Sequence, residues 1–119
     1  MDVIVKRIMW VLVAVALLLS AAHLGLAAMT ARAEWTLAVL WFAGSGLALL
    51  FAGLLNVLAL RVGSDDPVAR AVWLLGNLAA AGFFLLAWPL LKQPQVLVGV
   101  ATFGLLALGV GVMRPGRPG

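Results

Sequence analysis

The chain contains no cysteine, which removes thiol redox chemistry, disulfide bonds and thiolate metal ligation in any compartment. It also has no tyrosine, one histidine and four carboxylates, Asp2, Glu34, Asp65 and Asp66. Charged residues are 10% of the 119 positions, where a soluble domain carries roughly 25%. What replaces them is apolar: 66% of the chain is hydrophobic and its mean hydropathy is +1.19. Water is not the solvent for such a chain, and the reading is an integral membrane protein. The net charge of +4 does not point to nucleic acid, because the basic residues stand singly or in pairs near the ends of apolar runs, where they read as topology signals and lipid-headgroup contacts.

Four apolar runs, at about 8–29, 35–60, 67–91 and 95–113, are each long enough to cross a hydrocarbon core of about 30 Å as a helix rising about 1.5 Å per residue. None carries Lys, Arg, Asp or Glu in its central part. The separators are short, so consecutive helices must turn back on one another. The fold class expected is all-α: one transmembrane domain over residues 1–119, a four-helix up-down-up-down bundle. Local chemistry supports the middle boundary, since Gly63 can end a helix, Asp66 can cap the next and Pro67 suits a first helical position.

Orientation follows from the basic residues. Lys6, Arg7, Arg61, Arg70, Arg114 and Arg117 fall on one face, and only Arg32 and Lys92 on the other, which places both termini in the cytoplasm. Trp10 and Trp73 then fall at the inner interface, Trp35 and Trp88 at the outer one, and Trp41 deeper. The preference for Arg over Lys and the Ala, Gly, Leu and Val content are those of a high-GC bacterial genome, so the expected location is the bacterial cytoplasmic membrane. Lys6-Arg7, the apolar run and Ala31-Arg32-Ala33 also imitate a cleavable signal peptide, but the run exceeds the usual core of roughly 7–15 residues.

In lipid, helices associate through small residues that admit close backbone approach and through polar groups that bond across the interface. Gly44, Ala48, Ala52 and Asn56 recur every four residues, and the first three are the expected helix-packing stripe. Asn56 and Asn77 lie at similar depth on adjacent helices and are expected to form an interhelical hydrogen bond, the alternative being a polar lining for a substrate path. His23, the only titratable group inside a span, is expected to bond to a carbonyl, to Ser20 one turn earlier or to Thr102 across the bundle, a structural role preferred over proton carriage. Asp65 and Asp66 read as a cap and a turn rather than a catalytic pair.

In size and helix count the chain resembles the small multidrug resistance transporters, whose first helix carries a buried glutamate; no carboxylate lies inside a span here, so no functional residue transfers. The small fluoride channels share the format but lack the charge asymmetry. The function expected is that of a non-enzymatic accessory or interaction subunit, without cofactor, whose partners are the bilayer and a membrane protein or a second copy, and not nucleic acid. The alternatives are an oligomeric transporter or channel for a small uncharged or hydrophobic solute, and a lipid- or quinone-related enzyme.

Overall fold

The computed structural model describes residues 2–63 and 65–113; Arg114 and Arg117, which entered the charge count, lie outside them. Four helices follow in order, α1 Asp2–Ala33, α2 Leu37–Val62, α3 Pro67–Leu91 and α4 Pro94–Val112. All four are long and apolar enough to cross a membrane. The expected start of the first helix at residue 8 and its end at 29 are corrected at both ends. Hydropathy marks the part that lipid tolerates, whereas the helix ends where its backbone hydrogen bonds end. At 32 residues α1 is about 48 Å long, more than a hydrocarbon core requires.

The turns are fixed by individual residues. Thr36 accepts a hydrogen bond from the Val39 amide at 3.2 Å and so caps α2. Gly63, at φ 72°, takes a backbone conformation that side chains disfavour and returns its amide to the Ala59 carbonyl. The Asp66 carboxylate accepts from the amides of Val68 and Ala69 at 2.7 and 3.0 Å, and Pro67 opens α3. Lys92, left-handed at φ 44°, ends α3, and Pro94 begins α4.

The helices are arranged so that α1 touches α2 and α4, and α3 touches α4 and α2. Along α1 and α2, Leu17 packs on Gly53 and Leu24 on Gly46; partner numbers fall along one helix as they rise along the other, so the two run in opposite directions. Ser20 donates to the Gly46 carbonyl at 3.1 Å within the same contact. On the other side, Phe84 of α3 lies on Gly99 of α4, and the Arg70 guanidinium donates to the carbonyls of Val110 and Met113, satisfying the end of α4. Met9 lies on Gly109 and joins α1 to α4. The core therefore centres on α4, with Phe103, Leu106 and Val110 buried against Met9, Val13 and Ala16 of α1.

The expected packing stripe is displaced. Gly44 and Ala48 are exposed and Ala52 only partly buried, whereas the face of α2 turned into the bundle is Gly46, Leu49, Gly53, Asn56 and Leu60. The spacing of 3 and 4 along that face keeps a true helical stripe inward, while a strict spacing of 4 drifts around the helix. Leu17 and Leu24 select Gly53 and Gly46 because those glycines leave room for them.

Candidate functional site

The contact between α2 and α3 is centred on polar groups, with Leu55 packed on Gly76 beside them. Asn56 Nδ2 donates to Asn77 Oδ1 at 2.8 Å, Asn77 Nδ2 donates back to Asn56 Oδ1 at 3.0 Å, and Trp73 Nε1 donates to the same Asn56 oxygen at 2.7 Å. The second amide protons go to the helix itself, Asn56 to the Ala52 carbonyl and Asn77 to that of Trp73. All three side chains are buried. An indole N–H only donates, so it fixes which end of the Asn56 amide faces it, and the reciprocal Asn pair follows. No buried side-chain polar atom among the described residues lacks a hydrogen-bond partner.

Trp73 is a correction to the interfacial role expected of it: it is 3% exposed and belongs to this clasp. Its signal in the sequence is its place one turn before Asn77, on the same face of α3. Arg70, expected as a topology signal, holds the last carbonyls of α4.

On either side of the clasp α2 and α3 part. Toward the α2–α3 turn lies a groove of about 300 Å³ beside Leu58, Val62 and Val72. Toward the other end lies a larger cleft of about 580 Å³, walled by Gly44, Ala48 and Ala52 on α2 and by Gly76, Ala79 and Ala80 on α3. Trp41, 72% exposed, and Phe83 flank it. A Cβ placed on Gly44 would meet nothing within 4 Å. Thus the small residues singled out on α2 do share a surface, but it lines an opening between α2 and α3 rather than a close helix contact.

His23 has none of its expected side-chain partners. Its ring stacks on Phe42, with centroids 4.4 Å apart, while Ser20 bonds to Gly46 and Thr102 is buried within α4. His23 instead lines a second cavity, of about 650 Å³, at the end of the bundle where α1 meets α2 and α3 meets α4. Among the described residues no three His, Cys, Asp or Glu side chains cluster as metal ligands.

Comparison of the chain with protein-family models, with curated proteins and with solved structures gave no match.

Proposed function

We propose that this is a non-enzymatic interaction subunit of the bacterial cytoplasmic membrane, threaded up-down-up-down with both termini inside, whose α2–α3 cleft receives a transmembrane helix of a partner membrane protein. The observation that supports this reading most is the cleft itself, where two small-residue walls oppose one another with open space between them. In a bilayer such walls let a third backbone approach closely, and the gain is van der Waals contact that lipid chains make less well. Neither wall carries a charge, so the segment that fits is apolar and helical.

The test is isolation of the chain in native lipid discs without detergent exchange. The wild type should retain one protein in fixed ratio, and Gly44→Leu, at a position where an added Cβ meets nothing within 4 Å, should lose it by occupying the cleft. A retained protein that proves to be a second copy makes the partner helix the chain's own. Recovery of the wild type as a lone chain would overturn the reading. Topology is checked separately: reporters inserted between residues 61 and 66 should report cytoplasm, and reporters at Arg32 or Lys92 the exterior.

A further inference from the structure

The cavity that His23 lines has the size and chemistry of a ligand site distinct from the helix cleft. Its volume of about 650 Å³ lies within the about 300–1,000 Å³ typical of small-molecule pockets, which are mostly apolar with a few converging polar groups. All four helices and the α3–α4 turn contribute to it. Leu19, Leu26, Phe42, Phe84 and Val96 supply apolar wall, and the polar atoms come from His23, Ser45, Gln93 and Gln95. Among the described residues no Lys, Arg, Asp or Glu lines it.

The hydrogen bonds already made leave capacity of both kinds. Ser45 donates its hydroxyl to the Phe42 carbonyl at 2.7 Å and keeps oxygen lone pairs. Gln95 donates to Gln93 Oε1, which leaves the carbonyl of Gln95 as acceptor and the amide of Gln93 as donor. His23 is held by its stack on Phe42 and, among the described residues, by no hydrogen bond. A neutral imidazole therefore presents one donor and one acceptor. We infer that this chamber binds a small uncharged amphiphile, its hydroxyl or carbonyl head at His23 and the two glutamines and its aliphatic or aromatic body against Phe42, Phe84 and the leucines. A charged head would find no counter-ion among the residues that line the chamber, which disfavours it relative to an uncharged one. Ser45 and Phe83 line both this chamber and the α2–α3 cleft, so the two spaces adjoin. The inference stands on the chamber and does not require a helix in the cleft.

The test uses the purified full chain and a decanol bearing a diazirine in its tail, with the labelled residues located by peptide mass spectrometry. Saturable labelling is expected within residues 19–26 and 83–96. Excess 1-decanol should suppress it roughly fivefold or more, and decyl sulfate, the same chain with a permanent charge, should barely compete; a fivefold preference corresponds to about 1 kcal/mol. Ala22→Phe, projecting into the chamber, should reduce labelling by a similar factor at unchanged melting temperature, and His23→Leu should weaken decanol competition severalfold. Unsaturable labelling spread over outward residues such as Leu18 and Leu75 would overturn the site. Equal competition by decyl sulfate would overturn the uncharged class. Should Ala22→Phe fail to fold, the competition on the unaltered chain decides.

Discussion

Helix α2 meets α1 and α3 through faces that are both rich in small residues, yet one contact is closed and the other open. Against α1, Gly46 and Gly53 accept Leu24 and Leu17 so closely that an added Cβ would lie 2.9 and 2.7 Å from a leucine Cδ2. Against α3, Gly44, Ala48 and Ala52 oppose Gly76, Ala79 and Ala80, and a 580 Å³ cleft lies between them. The difference is in the partner. A small residue provides a hole, and a contact closes only when the opposite helix supplies a knob. Leu55 over Gly76 is one such pair between α2 and α3, and it sits directly beside the Asn clasp.

The comparison breaks most visibly if the closed contact tolerates a knob of its own. Gly53→Leu should force α1 away and cost about 1–3 kcal/mol by overpacking, read as a clear fall in melting temperature in detergent. Next in size is the clasp. Asn56→Leu leaves the Trp73 N–H and an Asn77 amide proton without their acceptor, at about 1–2 kcal/mol. Asn56→Leu combined with Asn77→Leu should cost less than the sum of the single changes, because the second removes a group the first has already orphaned. An additive double variant would show that the two amides act independently. Smaller again is Trp73→Phe, which keeps most of the buried ring and deletes one donor, with an expected loss of about 0.5–1.5 kcal/mol. The smallest effect belongs to the open contact: Gly44→Leu should change stability by no more than about 0.5 kcal/mol, since an added Cβ there meets nothing within 4 Å and the rest of the side chain extends into the cleft. A loss there comparable to that of Gly53→Leu would mean that the cleft is closed.

Much of this architecture was legible in the sequence because the signals are strong and local. Apolar runs of helical length, Gly63 and the Asp66-Pro67 pair mark the α2 and α3 boundaries closely, and depth counting from the basic residues was enough to pair Asn56 with Asn77. The packing face of α2 was not legible. Small residues stand on two sides of that helix, and choosing between them requires knowing where Leu17 and Leu24 of another helix point. For the same reason Trp73 looked interfacial: its depth is readable from Arg70, but its rotation toward Asn56 is a property of the assembled bundle. The His23 chamber depends on four helices and a turn diverging together, which no single segment encodes.

In the proposed assembly the α2–α3 cleft, open in the isolated chain, is filled by a helix in the membrane. It is tested most directly by a benzophenone amino acid placed at position 44, irradiated in native membranes, with position 18, whose Leu is 70% exposed on α1, as the lipid-facing control. A helix in the cleft gives a discrete protein adduct from position 44 and lipid adducts alone from position 18. Lipid adducts alone from both positions would contradict it.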